Sequence, residues 1–147
     1  METSPQTISR QILLKASLEK VWTAIATPEG FEGWFTCKVI GTWELNKDVI
    51  LLWPSGNSNE IRIVALNPQS EFAYQWHPGG YAKLGDFPEE QLTTVTFRLH
   101  STGDGTNLEM VEGDFADIPE ERRLKVMGLN TAGWEEELEN IRKYVEA

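Results

Sequence analysis

A chain of 147 residues with 40% hydrophobic and 24% charged side chains has the size and make-up of one folded domain, able to bury about two-thirds of its unfolded surface. The net charge of -10, the pI near 4.6 and the scattered basic residues argue against nucleic acid and anionic lipid as partners. One cysteine, Cys37, permits no internal disulfide or cysteine-based metal cluster, and no apolar leader or membrane-length run is present, so a cytoplasmic chain without membrane insertion is expected.

In chain order, residues 1–6 read as a short frayed polar arm, and residues 7–14 (TISRQILL) as a first strand with Ile8, Ile12 and Leu14 on one side. Ser17 is placed to cap a short helix carrying Leu18, Val21, Trp22 and Ile25 on one face. Thr27-Pro28-Glu29 restarts it with a cap, a proline at the first helical position and an acid in the first turn, leading to Phe31, Trp34 and Phe35. Turn-rich segments then recur at regular spacing. They separate strands expected at 37–44, 48–54, 59–66, 71–77, 92–100 and 106–113, an antiparallel meander. Phe72, Tyr74 and Trp76 share a face, as do Val95, Phe97 and Leu99, and Leu108, Met110 and Glu112. Residues 78–91 (PGGYAKLGDFPEEQ) are long for a hairpin connection, and long loops in compact folds are more often functional than idle.

The last segment is one long helix, expected over 117–145 with Asp117 and Glu120 forming a capping box. Leu124, Met127, Thr131, Trp134, Leu138, Ile141 and Val145 recur in steps of three and four and predict its buried stripe. At 1.5 Å per residue it is roughly 40 Å long and must lie across the sheet. Small residues at its centre, Gly128 and Gly133 among them, suggest space left for a ligand. The fold class is therefore α+β: a seven-stranded antiparallel sheet curved around a long C-terminal helix, with two short helices after the first strand.

That order of elements resembles the helix-grip fold of the START-like (SRPBCC, Bet v 1-like) superfamily. Residues 17–35 (SLEKVWTAIATPEGFEGWF) and 128–145 (GLNTAGWEEELENIRKYV), with the Gly133-Trp134 pair, resemble the branch homologous to the C-terminal domain of the activator of Hsp-90 ATPase. The resemblance implies a largely apolar cavity between sheet and long helix that takes a small hydrophobic molecule. For some relatives it also implies contact with an Hsp-90-type chaperone, and for others on this fold a cyclase- or hydrolase-type activity.

Six tryptophans supply rings for core and cavity alike. The candidate ligand-binding set is Trp34, Trp43, Trp53, Phe72, Tyr74, Trp76, Tyr81, Phe97, Met110, Glu112, Met127, Thr131 and Trp134, with Asn130 as a further polar group. If Glu112 keeps the parity of Leu108 and Met110, its carboxylate points inward, and an acid/base role with Tyr74 is the enzymatic reading; a bulge at Gly113 turns it outward. No cofactor and no metal are expected, because the chain lacks a P-loop, a dinucleotide fingerprint and zinc-ligand spacing around His77 and His100. The run Glu135-Glu136-Glu137 reads as the solvated face of the helix.

Overall fold

A computed structural model describes residues 7–147; the polar arm expected at 1–6 lies outside the described residues. The strands are β1 (Ile8–Leu14), β2 (Lys38–Ile40), β3 (Asp48–Leu52), β4 (Ser58–Asn67), β5 (Glu71–Trp76), β6 (Thr93–Thr102) and β7 (Gly105–Gly113). The helices are α1 (Leu18–Ala26), α2 (Pro28–Phe35) and α3 (Glu120–Glu146). All seven strands form one antiparallel sheet in the order β1-β7-β6-β5-β4-β3-β2. Each neighbour after β2 is also a neighbour in sequence, except where β1 closes the far edge against β7.

Local chemistry explains the helical hairpin. The Ser17 hydroxyl accepts from Lys20 N–H at 3.1 Å, and the Thr27 hydroxyl accepts from Gly30 N–H at 3.1 Å with Pro28 in the first turn. Thr27 therefore ends α1 and starts α2. Thr27→Ala is expected to cost about 1 kcal/mol of stability. A shift in urea midpoint at constant slope would register it.

Inward-facing strand residues meet in registered rows across the sheet: Tyr74 opposite Val95 opposite Glu112, and Phe72 opposite Phe97 opposite Met110. These side chains are all fully buried, and with the apolar sides of α1 and α2 and the C-terminal half of α3 they make the core. The meander departs from expectation at β2. It ends after three residues because Gly41 takes φ +125° and turns the chain, whereas the sequence suggested a strand to Glu44.

The long helix also differs from its expected form at the N-terminal end. It begins at Glu120 with Pro119 at the N-cap position, and Asp117 belongs to a 3₁₀ turn, Phe115–Asp117. Pro119 disfavours helical dihedrals at the residue before it, and Ile118 is extended, so no helix runs through this point. The buried stripe is Val126, Trp134, Leu138, Ile141 and Val145, while Leu124 is 75% exposed and Met127 and Thr131 are only partly covered. From Val126 to Leu138 the inward positions recur every four residues, a step that drifts about 40° around the helix each time. The N-terminal turns of α3 thus face the 78–91 loop. Val126 packs against Gly79, whose φ of +87° and close approach leave no room for a side chain. Gly79 N–H donates to Asn130 Oδ1 at 3.1 Å, and Arg122 holds Glu90 through two bonds of 3.1 and 3.0 Å.

Candidate functional site

A cleft of about 310 Å³ opens where the end of β3, the start of β4, the end of β5 and the 78–91 loop meet the middle of α3. Its walls are aromatic: Phe35, Trp53, Trp76, Tyr81 and Trp134. Thr36, Asn59, Leu129, Asn130, Gly133 and Glu137 complete the lining. The rings support one another, with Phe35 edge-on to Trp53 at 4.9 Å and Trp76 tilted against Trp134 at 6.3 Å between centroids.

Glu112 lies directly behind two of these walls. It is fully buried and accepts four hydrogen bonds, two on each oxygen. Trp76 Nε1 at 2.9 Å and Thr93 Oγ1 at 2.6 Å donate to Oε2, and Asn130 Nδ2 at 2.8 Å and Trp134 Nε1 at 2.9 Å donate to Oε1. Two indole N–H groups are donors only, and an ionised carboxylate is an acceptor only, so the set is chemically matched. Its position follows from β7 keeping strict alternation to its end, without the bulge at Gly113 that would have turned it outward. The carboxylate acts as a clamp joining β5, β6, β7 and α3. It fixes both indole rings and engages both N–H groups, so that what Trp76 and Trp134 offer the cleft is apolar ring surface.

The third indole of the wall is fixed in the same manner. Trp53 Nε1 donates to Asn59 Oδ1 at 2.9 Å, and Asn59 Nδ2 donates to the Gly80 carbonyl at 2.9 Å, which ties the long loop to β4. His77 is a buried part of that anchorage, its Nε2 accepting from Gly85 N–H at 3.2 Å and its ring edge-on to Phe87. Burial lowers its pKa.

The thirteen side chains singled out from sequence separate into those at the cleft and those away from it. Trp53, Trp76, Tyr81 and Trp134 line the cleft, with Glu112 bonded to two of them from behind. Trp34, Phe72, Tyr74, Phe97 and Met110 lie in the core below it, Trp43 and Met127 pack at the core's margin, and Thr131 is partly exposed on α3. Trp34 and Trp43 donate their indole N–H groups to the Ala24 and Ala26 carbonyls, each at 2.9 Å, and so serve the helical hairpin. The Tyr74 hydroxyl is buried without a hydrogen-bond partner, and burial, then the nearby Glu112, Glu137 and Cys37, push its pKa well up. Tyr74 and Glu112 are not hydrogen-bonded to each other, so no acid–base pair forms between them. Among the described residues no cluster of His, Cys, Asp or Glu is arranged to hold a metal ion.

Sequence reasoning passed over Phe35, Thr36, Asn59, Leu129 and Glu137. Glu137 is the instructive one, because it stands three residues after Trp134 and seven after Asn130, on the same side of the helix. That spacing was available from the sequence, but the run of acids around it suggested solvent. Burial raises the Glu137 pKa to about 7 from 4.5, with Glu136 adding to the shift and a hydrogen bond from Asn140 opposing it. A carboxyl raised in the folded state loses stability for the fold as pH climbs from 4.5 through about 7, because the unfolded chain ionises first. Glu137→Gln is therefore expected to be more stable than the parent at pH 8 and to show little of that advantage at pH 4. Thermal unfolding of both proteins across this range checks it.

Comparison with known proteins places the chain. The family described as activator of Hsp90 ATPase homolog 1-like protein matches residues 15–146. Protein MLL2253 from Mesorhizobium loti is similar in structure, with a TM-score of 0.77 and 23% identity over 96% of this chain and 97% of that one. The Aha1 dimer from Colwellia psychrerythraea gives a TM-score of 0.75 and 20% identity over 95% and 96% of the two chains. DynU16, a protein of the dynemicin biosynthetic locus, gives 0.78 and 17% over 98% of this chain and 48% of that one. At these identities the likeness is one of fold. No curated protein matches the sequence. No described helix is long and apolar enough to cross a membrane. With 132 of its residues matched from Ser17's flank to the end of α3, the helix-grip chain described here belongs to the activator of Hsp90 ATPase homolog 1-like family.

Proposed function

We propose that this chain binds a small hydrophobic molecule in the cleft between the sheet and α3. The observation that carries the reading is the ring wall itself: three indoles whose N–H groups are already bonded within the protein present apolar faces to an open space. A volume near 310 Å³ is at the small end of ligand sites, which suits a compact planar molecule. A cytoplasmic setting and a single-domain organisation belong to the same reading, supported by the buried unpaired Cys37 and by the reach of the family match. Native mass spectrometry of the protein purified from its own cells, followed by titration of a hydrophobic compound library with tryptophan fluorescence, tests it. Saturable one-to-one binding that Trp134→Ala abolishes is expected; a library without a saturable binder would overturn it.

Docking to an Hsp90-type chaperone is a second reading, favoured by the family's description and by the Aha1 relative. Its test is stimulation of a chaperone's ATPase by this chain. A cyclase- or hydrolase-type activity through Glu112 and Tyr74 has less support, since the carboxylate already accepts four bonds and the phenol is fully buried.

A further inference from the structure

Resting on the binding reading above, the geometry points to an organic amine as the ligand class: a compact aromatic body carrying a cationic nitrogen that pairs with Glu137. The argument is an inventory of what the cleft has left to offer. Each indole N–H of the wall is occupied, Trp53 by Asn59 and Trp76 and Trp134 by Glu112. Asn59 and Asn130 are both engaged through oxygen and nitrogen, Asn59 with Trp53 and Gly80, Asn130 with Gly79 and Glu112. Thr36 spends its hydroxyl proton on the Phe35 carbonyl at 2.7 Å, and the Tyr81 hydroxyl, on a residue 59% exposed at the rim, is a further polar group of the lining. Glu137 differs. It is the one carboxylate, and the one Asp, Glu, Lys or Arg side chain, of the lining, and it accepts a single hydrogen bond among the described residues, from Asn140 Nδ2 to Oε1 at 3.0 Å. A carboxylate has about four acceptor positions on two oxygens, so most of its capacity is open.

No lysine, arginine or histidine lines the cleft among the described residues, so an anionic ligand group would meet a carboxylate with no countercharge. The ring faces add to the same preference, because an aromatic quadrupole is negative above its plane and attracts a cation within about 6 Å. The chain's net charge of -10 favours approach of cations over anions. Burial and Glu136, which raise the Glu137 pKa to about 7, describe a carboxylate short of partners, which a ligand cation would supply. Besides Glu136, Glu112 and the rim residue Tyr81, the buried Cys37 and Tyr74 lie within its electrostatic reach, and both have raised pKa values, with burial the largest cause for each and Glu137 contributing to each. Cys37 and Tyr74 stay neutral as Glu137 ionises, and no neighbour of the lining supplies a positive charge to compensate it.

Three indole compounds of matched shape test this by isothermal calorimetry on the whole chain at pH 8.5: tryptamine (cation), 3-ethylindole (neutral) and indole-3-propionate (anion). The expected order of affinity is cation over neutral over anion, with about tenfold between the first two, the size of one charge-assisted hydrogen bond. In Glu137→Gln the advantage of the cation is expected to vanish, so that the cation and the neutral compound bind alike. Equal affinity for all three, or preference for the anion, would overturn the amine assignment while leaving a hydrophobic binder. If none of the three binds but the library yields a neutral or anionic ligand, the amine assignment again fails alone; if no compound binds at all, both readings fail.

Discussion

Glu112→Ala is expected to lower the free energy of unfolding by about 3–5 kcal/mol. Truncation leaves four donors without their acceptor: the Trp76 and Trp134 indoles, the Thr93 hydroxyl and the Asn130 amide. An unsatisfied buried donor costs about 1–3 kcal/mol, and the sum is reduced because Thr93 can rotate and water can enter the vacated space. Glu112→Gln separates charge from shape. It retains one oxygen for one pair of donors and turns an amide N–H₂ toward the other pair, so a smaller but still distinct loss is expected. Urea denaturation measures both, with equal slopes confirming that the change lies in stability. Because the same carboxylate orients two cleft walls, the alanine variant should also lose ligand affinity under conditions where it remains folded.

Gly133→Leu addresses the cleft without touching that network. An added Cβ at Gly133 meets nothing within 4 Å, and the residue lines the cleft, so a leucine there extends into the space a ligand would use. Affinity is expected to fall by on the order of tenfold to a hundredfold, the overlap costing about 1–3 kcal/mol. The fold should gain up to about 1 kcal/mol from replacing a helical glycine. Gly128→Leu is the control. Gly128 also has open space around it, but it is exposed and outside the lining, so the same gain in stability should come with unchanged binding. The sequence suggested space around Gly128 and Gly133 alike; helical phase brings only Gly133 to the cleft. Calorimetric binding alongside thermal unfolding of the two variants distinguishes them.

That difference shows which features of this protein were legible in its sequence. Strand alternation in 71–77, 92–100 and 106–113 placed Tyr74, Phe97 and Met110 inward because a period of two leaves no freedom of phase once one residue is assigned, but it left Glu112 open between that parity and a bulge at Gly113, which only the pairing of β7 with β6 decides. Thr27-Pro28 marked the break between α1 and α2 because cap and proline chemistry is local. The phase of α3 was less accessible. Trp134, Leu138, Ile141 and Val145 were correctly grouped, but the N-terminal turns follow a loop whose position depends on Gly79, Asn130 and Glu90, residues far apart in the chain. Aromatic identity likewise did not separate wall from core. Trp34 and Trp53 are the same side chain, yet one bonds a helix carbonyl inside and the other an asparagine at the cleft. Those partners are set by tertiary packing.

The central claim, that the cleft and not the interior receives the ligand, is tested most directly through the indole N–H signals of the six tryptophans in a ¹H–¹⁵N correlation spectrum, recorded as the co-purifying molecule or best library ligand is titrated in. Trp53, Trp76 and Trp134 line the cleft, whereas Trp22, Trp34 and Trp43 lie elsewhere. The account predicts large shifts for the first three and near-constant positions for the others. Shifts centred on Trp22, Trp34 or Trp43, with the cleft indoles still, would contradict it.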